Sequence, residues 1–116
     1  MRFSIHLLER ALARRRESRE KRRQECLVVA LRALEELSRE IPFEEAYLFG
    51  SLTKAGRFFE GSDLDVAFVG LRDEDFFRAS AFLWRAMGTE VDILPLEDHP
   101  LKEKVLKEGI RWKRPG

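Results

Sequence analysis

Three aspartates and one Gly-Ser pair are the residues of this 116-residue chain best suited to chemistry. Asp63 and Asp65 flank Leu64 in "SDLDVAFV", and Asp92 stands between Val91 and Ile93 in "EVDILP". Side chains of an extended strand alternate between faces, so Asp63 and Asp65 share one face, with Cα atoms roughly 7 Å apart. Leu64 and Val66 then point to the core. If the strand holding Asp92 pairs with theirs, the three carboxylates converge. Two carboxylates about 4 Å apart repel by around 4 kcal/mol at an effective dielectric near 20, so a cluster of three asks for a compensating cation. Hard divalent ions with oxygen ligands, Mg²⁺ above all, meet that need, and a pair of them can clamp an in-line phosphoryl displacement. The competing reading of Ser62-Asp63 is a strand-entry turn with solvated acids.

Gly50-Ser51 supplies the complementary part. Glycine lacks a Cβ, so a phosphate can approach its backbone, and it can turn sharply after a strand. The Ser51 hydroxyl and the amides of a following helical turn can donate to phosphate oxygens. Lys54 and Arg57 lie within reach as charge partners, although both also read as solvated loop charges. Phe58 and Phe59 can lid a base or pack beneath the loop. His6 and His99 have no partner spacing, and Glu90 reads as an edge charge.

The elements that must position these residues follow from periodicity. Apolar residues at helical spacing (Ile5, Leu8, Leu12, then Cys26, Val29, Ala30, Ala33, Leu34, Leu37) bracket a polar run, "ARRRESREKRRQE", that no helix breaker interrupts. One long helix ending before Pro42 accommodates all of them. Residues 45–49 read as a strand, 51–55 as a helical turn and 57–62 as a loop. Residues 63–69 are a second strand, 73–87 a helix closed by Gly88, and 90–94 a third strand ended by Pro95. Residues 101–108 are a last helix stopped by Gly109. Helices alternating with strands predict an α/β (α+β) layer structure: a small mixed β-sheet with helices packed on it, preceded by the long N-terminal helix. The division is a basic, amphipathic helical segment over 1–40 and a core domain over 41–116.

Composition bounds the function classes. The chain is 44% hydrophobic and 37% charged, a globular balance, and its net charge of +1 gives no general case for polyanion binding. Cys26 is the single cysteine, which excludes an internal disulfide and fits a reducing cytoplasm. No apolar run is long enough to span a bilayer, and the N-terminus lacks a signal-peptide core. Asparagine is absent and Glu, Arg and Lys are abundant, a pattern of heat-adapted chains. The "RRRESREKRR" run is a solvated face laced by pairs such as Arg16–Glu20, a docking surface for an acidic partner or second subunit, or, third, a nucleic-acid contact diluted by its glutamates.

Gly50-Ser51, eleven intervening residues, Asp63-Leu64-Asp65 and a later Val91-Asp92-Ile93 resemble the nucleotidyltransferases of the DNA polymerase β superfamily. The chain's size and "VLKEGI" look most like their minimal branch, and the resemblance covers about residues 46–110. It implies the nucleotidyltransferase fold, with Asp63, Asp65 and Asp92 holding two Mg²⁺ ions and Asp92 also helping to deprotonate the acceptor. It implies that Gly50 and Ser51 hold the triphosphate, with Lys54 and Arg57 nearby. The implied reaction moves a nucleoside monophosphate, usually AMP from ATP, onto a hydroxyl. The implied partner is an all-helical HEPN-type protein, silenced in toxin–antitoxin pairs and in some cases adenylylated on a tyrosine. Where the family often has arginine after Gly-Ser, this chain has Leu52, which leaves Lys54 as the substitute. The alternative is a catalytically idle module that neutralises a partner or scaffolds a homo-oligomer through the N-terminal helix. Addition of nucleotides to nucleic acid is a weaker third reading.

Overall fold

A computed structural model describes residues 5–54 and 63–115 of the chain. Arg57, Phe58 and Phe59, singled out above, lie outside the described residues. The chain begins with one continuous helix, α1 (Ile5–Glu40), followed by β1 (Glu45–Phe49) and a 3₁₀ turn over Ser51–Thr53. Next come β2 (Leu64–Val69), a 3₁₀ turn over Asp73–Asp75, α2 (Phe76–Met87), β3 (Val91–Pro95), α3 (Lys102–Glu108) and β4 (Ile110–Lys113). Among the described residues no helix is long and apolar enough to cross a membrane.

The four strands form one mixed sheet in the order β3-β2-β1-β4. β1 pairs antiparallel with both β2 and β4, whereas β2 and β3 run parallel. α2 makes the crossover between the two parallel strands, the connection that parallel pairing requires. Pro95 is the last residue of β3 and ends it as expected, a place that suits proline on an edge strand.

β4 is absent from the sequence-based expectation. Four residues, "IRWK", give too short a pattern to register as a strand. They pair with β1 because α3 returns the chain to that edge. Gly109 makes the handover possible: a Cβ there would come within 2.6 Å of the Val105 carbonyl oxygen.

The two faces of the sheet are covered unequally. Leu48, Leu64, Val66, Phe68 and Val91 face α1 and α2, and with Leu27, Ala30, Leu34, Leu37, Ala79 and Leu83 they make the main core. The C-terminal half of α1 therefore belongs to this core. The opposite face carries Tyr47 and Ala67 against Val105 of the short α3, with Leu96. Asp65 and Asp92 alternate with those core residues and so stand on this second, thinly covered face.

Upstream, α1 runs free of the body. Residues 5–18 are exposed on every side, including Ile5, Leu7, Leu8 and Leu12. Glu20 binds Arg23 through two hydrogen bonds of 2.6 and 2.9 Å and accepts a third from Gln24, in place of the expected Arg16. Arg23 is nearly buried, so this pair marks where α1 meets the core. The partnership holds the Glu20 carboxyl at about 2, well below its ordinary range.

Candidate active site

The site begins with strand register. β2 and β3 are parallel with Asp65 opposite Asp92, and β1 places Phe49 opposite Asp65 on the other side. Paired residues share a face, and neighbouring strands lie about 4.8 Å apart, so Asp65 and Asp92 are adjacent on one surface. Asp63 precedes β2 by one residue at the same edge. The register thus brings Asp65 and Asp92 together, with Asp63 just ahead of the paired residues.

Electrostatics show that they sense one another. Burial raises the Asp65 carboxyl above its ordinary value, and the charges of Asp92 and then Asp63 raise it further. Asp65 is half-buried, whereas Asp63 and Asp92 are exposed. As the side chains stand, no group of three or more His, Cys, Asp or Glu among the described residues is drawn together closely enough to hold a metal ion. Like charge keeps carboxylates apart, and the exposed Asp63 and Asp92 have room to rotate. The donor set itself, three carboxylates on neighbouring backbone positions, suits a hard divalent cation such as Mg²⁺.

Gly50 ties the loop to these acids. Its φ of 100° is a conformation that side chains disfavour. A Cβ there would fall 2.9 Å from Asp65 Oδ2 and 3.0 Å from the Asp63 carbonyl oxygen. The missing side chain leaves a bare backbone beside the carboxylate, which is the property a phosphate approach needs. The turn after it is pinned from both ends. Thr53 donates to the Gly50 carbonyl through Oγ1 (2.7 Å) and its amide (3.1 Å), and the Leu52 amide donates to the Asp63 carbonyl (3.3 Å). Leu52 is 4% exposed and part of the main core. The residue after Gly-Ser therefore works here as an anchor for the turn, and Lys54 is the cation next to it.

Lys54 faces a cavity of about 260 Å³ between the turn and α3. Phe49, Gly50, Ser51 and Thr53 form one wall; Leu101, Lys104, Val105 and Glu108 form the other. Lys54 Nζ lies 3.5 Å from a Glu108 carboxylate oxygen. The sequence reading missed Lys104 and Glu108. Positions 101, 104, 105 and 108 make one stripe of a helix with charged residues in two of its four places, but nothing in so short a helix marks that stripe as the inner one.

No family model matches the chain, and no curated protein matches it. Two solved structures do. A structure from Sulfolobus solfataricus described as a "putative nucleotidyltransferase" is 30% identical, with a TM-score of 0.56 over 84% of this chain and 88% of that one. A second, described as a "putative minimal nucleotidyltransferase", is 27% identical, with a TM-score of 0.49 over 82% of this chain and 93% of the other. The first combines that identity with coverage of more than four fifths of each chain. The chain belongs to the nucleotidyltransferase family.

Proposed function

We propose that the protein transfers a nucleoside monophosphate, AMP from ATP, to a hydroxyl acceptor and releases pyrophosphate. The acceptor oxygen attacks the α-phosphorus, the bond to the β-phosphate bridging oxygen breaks, and pyrophosphate leaves with that electron pair. Asp92 takes the acceptor proton. Gly50 and Ser51 hold the triphosphate against the end of β1, with Lys54 beside it. Asp63, Asp65 and Asp92 would hold two Mg²⁺ ions, whose role when bound is to neutralise charge on the phosphates and the attacking oxygen. The observation that carries this reading is the in-register placement of Asp65 and Asp92 with the bare Gly50 backbone against Asp65.

The acceptor we favour is a tyrosine of an all-helical HEPN-type partner, in an antitoxin role. Incubation with labelled ATP, Mg²⁺ and the product of the neighbouring gene, followed by mass spectrometry, tests it by an added AMP. Nucleotide binding is tested separately: ATP with Mg²⁺ raises the melting temperature of the wild type, and Asp63→Ala with Asp65→Ala abolishes the shift. No shift at millimolar nucleotide sinks the nucleotide site. A stable complex without modification favours the second reading, an idle binding module, which draws its support from the burial of Leu52 where the family often has arginine.

A further inference from the structure

The wall of the cavity made by α3 carries two charged side chains, Lys104 and Glu108. A short helix lying on a sheet should turn its apolar residues inward. Val105 does so and is buried between Tyr47 and Leu96. Its stripe neighbours Lys104 and Glu108 line the cavity, while Leu106, on the outer side of the same helix, is 47% exposed. Charge has been placed on the side facing the Gly50–Ser51 turn. Among the described residues no ion pair engages Lys104, whereas Glu108 holds Lys54 at 3.5 Å. The same Gly50 that borders the Asp65 carboxylate lines this cavity together with both lysines.

We propose that Lys104 is a phosphate-binding residue of the nucleotide site, supplying from α3 the cationic contact that the buried Leu52 cannot make, and that Glu108 competes with the same phosphates for Lys54. The assignment rests on the nucleotidyl-transfer reading given above. A polyphosphate running from the carboxylates across Gly50 enters a cavity with lysines on both walls, and its charge displaces Glu108 from Lys54. The recognised chemistry is the polyphosphate tail; the apolar surfaces of Phe49, Leu101 and Val105 complete the cavity without selecting charge.

The test is calorimetric titration of the full chain with ATP plus Mg²⁺, and in parallel with tripolyphosphate plus Mg²⁺. Lys104→Gln weakens both ligands by roughly tenfold, the factor one charge-assisted hydrogen bond supplies. Glu108→Gln tightens both by severalfold, and Lys107→Gln, on the same helix outside the cavity, changes neither. Circular dichroism melts confirm that each variant folds. If the wild type binds ATP and Lys104→Gln binds equally well, the assignment is wrong while nucleotidyl transfer stands. A loss for ATP alone, with tripolyphosphate unaffected, also overturns it, because Lys104 would then be reading the nucleoside. If the wild type binds neither ligand, the nucleotidyl-transfer reading fails, and this one with it.

Discussion

Asp65 Oδ2 lies 2.9 Å from where a Cβ on Gly50 would stand, closely enough that a side chain at residue 50 would displace the carboxylate. The contact joins the end of β1 to the start of β2 and places a loop backbone beside an acid. Strain and clash act together there: φ is 100°, and the added carbon would meet an oxygen at 2.9 Å. Gly50→Ala should cost about 1–3 kcal/mol in urea unfolding. It should also abolish any nucleotide-induced rise in melting temperature, even where the variant remains folded. An unchanged nucleotide response would mean that the backbone at residue 50 is not the phosphate approach.

Asp65 is held in a setting unfavourable to its charge. Its carboxyl is raised by burial and by Asp92 and Asp63, so the ionised form is less stable folded than unfolded, and it opposes folding once pH exceeds its ordinary value. In chelator at neutral pH, Asp65→Asn should therefore be more stable than wild type, by up to about 1 kcal/mol once solvent screening of a half-buried group is counted. Below about pH 4, where the wild-type carboxyl is protonated too, the gap should vanish. Adding Mg²⁺ at neutral pH should stabilise only the wild type. A variant less stable than wild type in chelator would contradict the carboxylate-repulsion account.

Those carboxylates were also the most legible part of the chain. Leu64 and Val66 around Asp65, and Val91 and Ile93 around Asp92, announced strands with one polar face, and pairing the strands brings Asp65 and Asp92 together. Phe49 and Gly50 were equally readable, since an apolar run stopping at glycine marks a strand end. β4 was hidden because its four residues pair only where α3 delivers them. Lys104 and Glu108 were hidden for a different reason. Seven residues of helix have no evident inner side until the sheet beneath is known. Arg111 was unremarkable in the sequence, yet it crosses from β4 to grip Glu45 on β1.

That grip gives a pH signature. The Arg111 guanidinium, followed by the Tyr47 hydroxyl, lowers the Glu45 carboxyl below its ordinary 4.5. A depressed carboxyl stabilises the fold above its unfolded value and loses that contribution as pH falls through the folded one. Wild type should exceed Glu45→Gln in its urea midpoint by a constant margin from pH 7 down to about pH 5, and the margin should then shrink towards zero. A margin that stays constant below pH 5 as well would show that the bond contributes through geometry alone.

Leu52 makes a warning for engineering by motif. Replacing it with arginine to match the family's common pattern would put a cation among core side chains, since the position is 4% exposed. Leu52→Arg should lose more than about 3 kcal/mol of stability and gain no nucleotide affinity. Leu52→Met, which keeps volume and polarity, should lose less than about 1.5 kcal/mol. Chemical unfolding of the three proteins side by side distinguishes an anchor from a replaceable loop residue, because an anchor penalises arginine alone.

The projecting half of α1 gives the molecule principal extents of 63 × 28 × 25 Å and a radius of gyration of 17.1 Å. A compact chain of this length would have about 13 Å. A single copy therefore drags more solvent than its 13.6 kDa suggests and elutes early from a sizing column, in the position of a larger sphere. Elution volume alone would misreport one chain as two; light scattering, which weighs particles without regard to their outline, gives the true mass.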